Sequence, residues 1–287
     1  MNGEILEILA VPWDVERRDT PNARGPRGLL AKGFPDLLVK AGREVRVTEI
    51  EAPDPPGASK SGTVIAIGRR IAEAVALAVS RGRFPLILSG GCLASLGVVA
   101  GLQRDGREAA AVWIDAHGDL NTPESSPSGY WDGMSLAALA GLSLPEVVTG
   151  VGLRPLGAGR LAHLAGRSFD PLEGGNFERL GLLRIPAGQV ATAASRERLR
   201  SLSKGCSLYL HVDVDGLDPE DAPAVGFPEP DGARLADLLA LRDDLPAPAA
   251  MTLSALSFDR AGEAEARRTV EACARLVEAF AALKKNA

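Results

Sequence analysis

The sequence predicts an α/β protein built on a mainly parallel β-sheet. Apolar runs of strand length alternate with segments of helical periodicity along the whole chain, which is the pattern of a parallel sheet covered by helices on both faces. Two acidic clusters follow two of the apolar runs, at the strand ends where such sheets bind ligands. The 287 residues contain no Pro-, Gly- or Ser-rich linker, so we expect a single domain over residues 1–287.

The predicted elements alternate in chain order. We expect strands, from their apolar character and length, at residues 5–11, 44–48, 84–88, 110–115, 147–152, 207–213 and 251–256. We expect helices at residues 26–41, 60–80, 134–142, 160–164, 196–203, 235–242 and 263–283. The last of these is long, rich in Ala and Glu, and carries a stripe of apolar side chains. It is therefore interpreted as a helix that packs on the sheet.

Composition excludes several classes of partner. The net charge is −5, from 32 basic and 37 acidic residues, and no concentrated basic patch predicts binding to nucleic acid. The first residues lack the basic region of a secretory signal, and no apolar run approaches the ~18 residues of a membrane span. We therefore expect a cytoplasmic protein without a membrane partner. The three cysteines are too few and too widely spaced for a disulfide framework, and Cys206 and Cys273 are expected to be buried thiols.

The two acidic clusters predict a metal site. Asp115, His117 and Asp119 follow one apolar run, whereas Asp213 and Asp215 end another. Alternate residues of an extended chain share a face, so the four carboxylates and the imidazole would converge at one edge of the sheet. Hard oxygen ligands with one imidazole suit Mn²⁺, Fe²⁺, Co²⁺ or Zn²⁺. Either cluster alone is equally compatible with a turn or a helix N-cap, so the prediction depends on the pair.

Three predicted loops lie at the same strand ends. Paired glycines at 90 and 91 allow the backbone to approach a ligand closely. Residues 121–133 are polar and rich in proline and serine, and residues 216–226 follow the second acidic cluster. Long loops at a ligand-binding edge are usually functional.

Several strings in the chain resemble those of the arginase/agmatinase family of manganese ureohydrolases. They occur in the family's order: Gly90-Gly91, Trp113-Ile114-Asp115-Ala116-His117-Gly118-Asp119-Leu120-Asn121, Ser128-Gly129, Gly152-Leu153-Arg154, and Asp213-Val214-Asp215-Gly216-Leu217-Asp218-Pro219. The resemblance implies a three-layer α/β/α fold with an eight-stranded parallel sheet and assembly into trimers or hexamers. It also implies a binuclear Mn²⁺ centre that ionises a bridging water for attack on a guanidinium carbon.

The resemblance assigns metal ligands residue by residue. One ion would be bound by Asp115, His117, Asp213 and Asp215, and the other by Asp115, Asp119 and Asp213. The fourth ligand of the second ion should be a histidine just after the paired glycines, where this chain has Leu93. His211 lies two residues before Asp213 and hence on the same strand face. It is either a compensating ligand or a core histidine, and Cys92 is interpreted as a small buried hydrophobe.

Other departures concern the substrate. The family's proton-shuttling histidine aligns with Asp132, whose pKa would have to be raised by burial for that role. The acids that recognise the amino group of arginine align with Gly157 and Arg160, and the glutamate that holds the guanidinium aligns with Ser257. A site without carboxylates would not offset the desolvation of a guanidinium. The expected substrate is therefore not arginine or agmatine.

These observations lead to two hypotheses of function. The first is a metal-dependent hydrolase of a C–N bond in a small amidine, guanidine or non-peptide amide. Asp119 and Asp132 would be catalytic in it, and the substrate pocket would be lined by Asn121, Ser128 and Tyr130. The alternative is a family member that has lost catalysis and acts as a binding or structural subunit, which Leu93, Asp132 and Ser257 favour.

Overall fold

A single parallel sheet of eight strands forms the centre of the protein, as the sequence predicts. The computed structural model describes residues 5–51, 59–202 and 204–281. Within these ranges the strands are β1 (Leu6–Val11), β2 (Val45–Glu49), β3 (Phe84–Ser89), β4 (Ala109–Ile114), β5 (Leu161–Leu164), β6 (Leu183–Ile185), β7 (Ser207–Asp213) and β8 (Ala250–Ser254). Their order in the sheet is β2-β1-β3-β8-β7-β4-β5-β6, and each neighbouring pair is parallel.

Helices cover both faces of the sheet and give it three layers. They are α1 (Pro21–Ala31), α2 (Phe34–Lys40), α3 (Lys60–Ser80), α4 (Ser95–Leu102), α5 (Ser135–Leu139), α6 (Pro145–Val151), α7 (Glu173–Leu180), α8 (Ala193–Leu202), α9 (Leu235–Ala240) and α10 (Glu263–Phe280). Side chains alternate between the faces along each strand. In β4, Val112 and Ile114 join the core beneath α1, α2, α8, α9 and α10. Trp113 joins the core beneath α3 to α7.

The central strands end side by side at one edge of the sheet. Ile114 in β4 pairs with Val212 in β7, and Asp213 in β7 pairs with Ser254 in β8. All of these strands run in the same direction, so the segments that follow them emerge at the same edge. The two acidic clusters therefore meet, because β4 and β7 are neighbours in the sheet.

Residues 147–152, predicted as a strand, lie instead in helix α6 and its C-terminal cap. Pro145 occupies the first turn, where its missing N–H removes no helical hydrogen bond. Gly152 ends the helix with a φ of 82°, the left-handed conformation that favours glycine. The valines in this run favour a strand locally. They are nevertheless buried as a helical face, because tertiary packing outweighs that preference.

Residues 160–164, predicted as a helix, instead contain strand β5. This strand pairs with β4 on one side and β6 on the other. All four of its residues are buried, so the sequence shows no alternation of exposed and buried positions to mark a strand. The sequence also fails to predict β6, α4 and α7. Helix α4 is buried on every side and has no amphipathic pattern to find.

Smaller differences concern element ends and exposure. The helix predicted at residues 26–41 is two helices, α1 and α2, and residues 203, 282 and 283 of the predicted helices lie outside the described ranges. Cys206, predicted to be buried, is half-buried because it lies in the bend before β7, whereas Cys92 and Cys273 are buried. None of the helices in the described part of the chain has the length and hydropathy needed to cross a membrane.

Candidate metal centre

Asp115 and Asp213 stand at the ends of neighbouring strands and are fixed there by hydrogen bonds. Oδ1 of Asp115 accepts from the N–H of His117 at 2.7 Å, and Oδ2 accepts from the indole N–H of Trp113 at 3.0 Å. Oδ1 of Asp213 accepts from the N–H of Asp215 at 3.2 Å. Each carboxylate oxygen has a second lone pair. The two buried carboxylates are thus oriented and still able to bind a cation.

His117 lies on the solvent side of this cluster. Its Nδ1 is 3.3 Å from Oδ2 of Asp215 and 3.6 Å from Oδ1 of Asp115, so the three side chains can surround one ion. Burial lowers the pKa of His117, but the hydrogen bonds that it donates to Asp115 and Asp215 outweigh burial and raise that pKa to about 12. The carboxylates of Asp115 and Asp215 therefore favour a positive charge at this position. A bound cation beside a neutral imidazole would also supply that charge.

Asp119 contributes a buried oxygen without a partner. Its φ is 51°, a left-handed conformation that is uncommon outside glycine and is found at functional sites. Its Oδ2 is buried and has no hydrogen-bond donor within the described ranges. The pKa of Asp119 lies well above its usual range, first because of burial and then because of the negative charges of Asp115, Asp132 and Asp213. A divalent cation would relieve both the unpaired acceptor and the repulsion, so these residues fit a metal ion.

All the predicted site residues except His211 line one cavity of about 230 Å³. Its wall includes Asp115, His117, Asp119, Asn121, Ser128, Tyr130, Asp132, Asp213 and Asp215. Asn121 is held by two contacts: its Nδ2 donates to Oδ2 of Asp170 at 2.7 Å, and its Oδ1 accepts from the hydroxyl of Ser125 at 2.9 Å. The hydroxyl of Tyr130 donates to Asp14. Side chains from distant segments of the chain thus surround one cavity.

Asp132 lies in the cavity wall, and its carboxyl group has a pKa suited to proton transfer. Its Oδ1 accepts a hydrogen bond from the N–H of Leu93 at 2.9 Å. Burial raises the pKa of Asp132 to about 7, against the lowering effect of that bond. Gly91 makes this position possible, because a Cβ at that residue would come within 2.5 Å of Oδ1 of Asp132. The burial that a proton shuttle at this position requires is present.

His211 lies behind the cavity wall. Its ring is fully buried and stacks on the indole of Trp113, with the ring centroids 3.6 Å apart. Nε2 is 3.3 Å from Sγ of Cys92, and the pKa of His211 is lowered well below its usual range, chiefly by burial. The ring is neutral and close enough to share an ion with Cys92, Asp115 and Asp213. Its role as a ligand stays a prediction.

Two acids that the sequence analysis missed also line the cavity. Asp170 and Glu173 follow β5. The two oxygens of Glu173 accept from the N–H groups of Leu120 and Asp170, whereas Asp170 presents its carboxylate beside Asn121. Recognising β5 as a strand would have revealed them, because the segment after a neighbour of β4 emerges at the same edge.

Two of the aligned substrate-binding positions, Gly157 and Arg160, lie away from the cavity. The guanidinium of Arg160 precedes β5 and donates to the carbonyls of Leu202 and Lys204, at the opposite edge of the sheet from the cavity. Neither Arg160 nor Gly157 lines the cavity. Ser257 lines an outer groove that adjoins the cavity at Ser128 and Tyr130, whereas Ala255 is the residue after β8 that lines the cavity itself. The strand still supplies no carboxylate there, but Arg160 does not repel a substrate.

Comparison with known proteins identifies the relatives of this chain. The family model described as the arginase family matches residues 6–281. An arginase of Bacillus caldovelox is 29% identical over 246 residues, which cover 78% of this chain and 80% of that arginase. The crystal structure of an arginase from Bacillus cereus superposes with a TM-score of 0.84 at 25% identity, over 98% of this chain and 99% of the other. A putative agmatinase from Clostridium difficile shares the fold, with a TM-score of 0.72 at 16% identity over 97% of each chain.

Proposed function

The chain belongs to the arginase family, and from that premise we propose that it is a hydrolase that uses Mn²⁺ or a related divalent ion to cleave a C–N bond in a small molecule. One observation carries the proposal. Asp115, His117, Asp119, Asp213 and Asp215 come from two distant segments and converge on one cavity. Buried carboxylates of like charge would be costly without a cation among them.

We assign the ion-binding residues in two groups. Asp115, His117 and Asp215 have ligand atoms within 4.8 Å of one another, and so do Cys92, Asp115, His211 and Asp213. Asp119 adds its unpaired oxygen from the cavity wall. When bound, a divalent cation supplies a water of lowered pKa and polarises the scissile carbon. One or two ions are compatible with this arrangement.

The remaining steps belong to the chain's own residues. Asp132, with a pKa of about 7, gives a proton to the leaving nitrogen, since a general acid works best when its pKa lies near the working pH. Asp119 lies in the cavity wall and accepts the proton from the attacking water through a carboxylate oxygen. Ser128 and Tyr130 lie in the cavity wall and position the substrate.

The shape and charge of the cavity suggest the substrate class. Asp170 and Asn121 line one side and can orient an ammonium or another cationic group of the substrate. Ala255 offers a methyl group at the end of β8, so no carboxylate from that strand would hold a guanidinium at the reacting end. We therefore propose an amidine, substituted guanidine or amide with a cationic tail as substrate, with arginine and agmatine as poor substrates.

A panel assay tests this proposal. The chain is stripped of metal, reloaded with Mn²⁺ and incubated with arginine, agmatine, amidines and amides that carry an ammonium group, while release of urea and ammonia is followed. Turnover of at least one non-arginine compound is expected. Glu124→Gln is the control, because Glu124 is exposed in the loop that carries Ser128 and Tyr130, and its turnover should match that of the unaltered chain. Ala255→Glu should raise turnover of arginine. Efficient hydrolysis of arginine by the unaltered chain would overturn the substrate assignment.

The alternative is a family member that binds metal without catalysis. Leu93 favours it, because that position has lost the histidine that the resemblance expects as a ligand. A chain that binds ions in stoichiometric amounts, yet hydrolyses nothing in the panel, would support this alternative.

A further inference from the structure

A sulfur atom lies among the carboxylates on the buried side of the metal centre. Cys92 follows β3, and its Sγ donates a hydrogen bond to Oδ2 of Asp213 at 2.9 Å. On its other side Sγ is 3.3 Å from Nε2 of His211. Leu93, the next residue, packs in the apolar core and is absent from the cavity wall that includes Cys92. The missing imidazole at position 93 is thus matched by a thiol one residue earlier.

A chain of hydroxyls sets the tautomer of His211. Tyr209 donates its hydroxyl proton to Oγ1 of Thr252 at 2.7 Å. Ser95 must therefore donate in its 2.7 Å contact with Tyr209, which leaves Oγ of Ser95 as an acceptor for Nδ1 of His211 at 2.9 Å. With its proton on Nδ1, the ring presents the lone pair of Nε2 towards Sγ of Cys92 and Oγ of Ser254, which both lie 3.3 Å from it. Orientation of this kind is what outer hydrogen bonds supply to metal-binding histidines.

The spacing of the donor atoms fits a metal ion. Ligand atoms of Cys92, Asp115, His211 and Asp213 all lie within 4.8 Å of one another. A tetrahedral ion with bonds of ~2.3 Å to sulfur and ~2.1 Å to nitrogen separates those two atoms by about 3.6 Å, close to the 3.3 Å observed. The cavity beside them holds the buried, unpartnered Oδ2 of Asp119. That acceptor is an independent indication of a cation.

We propose that Sγ of Cys92 and Nε2 of His211, with the carboxylates of Asp115 and Asp213, form a sulfur-containing site that prefers Zn²⁺ or Fe²⁺ to Mn²⁺. The proposal rests on the proposed metallohydrolase function and deepens it. Thiolate ligands favour Zn²⁺ and iron, whereas carboxylate sites suit Mn²⁺. Binding breaks the S–H bond of Cys92, forms a sulfur–metal bond and releases the proton to solvent, so the metal keeps its oxidation state.

Cobalt(II) is the probe for this site, because its bond to a thiolate gives a near-ultraviolet charge-transfer band that oxygen ligands do not give. The full-length protein, Cys92→Ser and Cys273→Ser are stripped of metal and titrated with Co²⁺, with bound metal measured in parallel. Cys273 is the matched control, since it is equally buried but lies in α10. Competition of Zn²⁺ with Mn²⁺ is then measured on all three proteins.

The expected result is a band in the unaltered protein and in Cys273→Ser that is absent from Cys92→Ser. Zn²⁺ affinity should fall by more than about 100-fold in Cys92→Ser, beyond the 10 to 100-fold typical of lost supporting residues, while Mn²⁺ affinity changes far less. If Cys92→Ser does not fold, the presence or absence of the charge-transfer band in the unaltered protein still shows whether a thiolate binds the ion. Co²⁺ binding without a band overturns the thiolate site and leaves the metallohydrolase proposal intact. A chain that binds none of the three ions overturns both.

Discussion

The metal centre has an open side and a buried side that share Asp115. The open side consists of Asp115, His117 and Asp215, and the imidazole of His117 is 33% exposed. The buried side consists of Cys92, Asp115, His211 and Asp213, and His211 has no exposed surface. Sites with an accessible position serve catalysis, whereas enclosed sites serve structure. One acidic cluster can therefore hold one ion that meets the substrate and another that is enclosed by protein ligands.

The largest effect is expected where the two sides meet. Asp115→Asn removes a ligand common to both, so ion binding should weaken by more than about 100-fold on each side, beyond the loss that a supporting residue causes. Hydrolysis should fall to background. Isothermal titration with Mn²⁺ and Zn²⁺ measures ion binding, and the panel assay measures hydrolysis. Loss of ion binding on one side alone would show that Asp115 is not a ligand of both ions.

Asp132→Asn should separate proton transfer from metal binding. Removal of a general acid lowers kcat by about 10² to 10⁴-fold, whereas the metal content should stay the same because Asp132 belongs to neither group of ligands. Steady-state kinetics on the best substrate and elemental analysis give the two values. An unchanged kcat would remove Asp132 from the mechanism.

The contribution of Asp132 to the stability of the metal-free protein should fall as the pH rises from about 4 to about 7. Asp132 has a pKa of about 7 in the folded protein and ~3.9 in the unfolded chain. The folded state therefore binds this proton more tightly. Above both pKa values the free energy of unfolding is lower by up to about 4 kcal/mol than at low pH. His163, whose pKa burial lowers to about 4, acts in the opposite direction in both proteins.

Urea unfolding at pH 4.5 and pH 7.5 in chelator, compared between the unaltered chain and Asp132→Asn, isolates the contribution of Asp132. The variant should lose less stability between the two pH values. An identical loss in the two proteins would show that Asp132 is not buried as a neutral acid.

The smallest effects should distinguish the two histidines. His117→Ala removes a partly exposed ligand and should lower ion affinity on the open side while leaving the buried side unchanged. His211→Ala removes a fully buried ring stacked on Trp113 and should lower both the melting temperature and the affinity of the buried side, the latter by about 10 to 100-fold. A folded His211→Ala protein with unchanged affinity would make His211 a core residue only.

Sequence patterns predicted the centre of the fold better than its margins. Strands β4 and β7 are apolar runs ended by acids, so their position and chemistry are both visible in the sequence. Strand β5 is only four residues long, and a periodic pattern needs a longer segment. Its misassignment hid Asp170 and Glu173 and led to the wrong placement of Arg160.

Side-chain contacts across the sheet were beyond the reach of the sequence. The approach of Cys92 to His211 joins residues that are 119 positions apart, and it depends on the order of β3, β8 and β7 in the sheet. Cys92 lies beside the paired glycines, but a free cysteine is most often a small buried hydrophobe, and the sequence alone favours that interpretation. Assembly into trimers or hexamers and a cytoplasmic location stay predictions.

Metal content of the purified protein tests the central claim most directly. The unaltered chain and Asp115→Asn are dialysed against Mn²⁺ and then against buffer, and bound metal is measured by elemental analysis. At least one ion per chain is expected in the unaltered protein and clearly less in Asp115→Asn, because Asp115 belongs to both groups of ligand residues. Equal metal content in the two proteins would contradict the account.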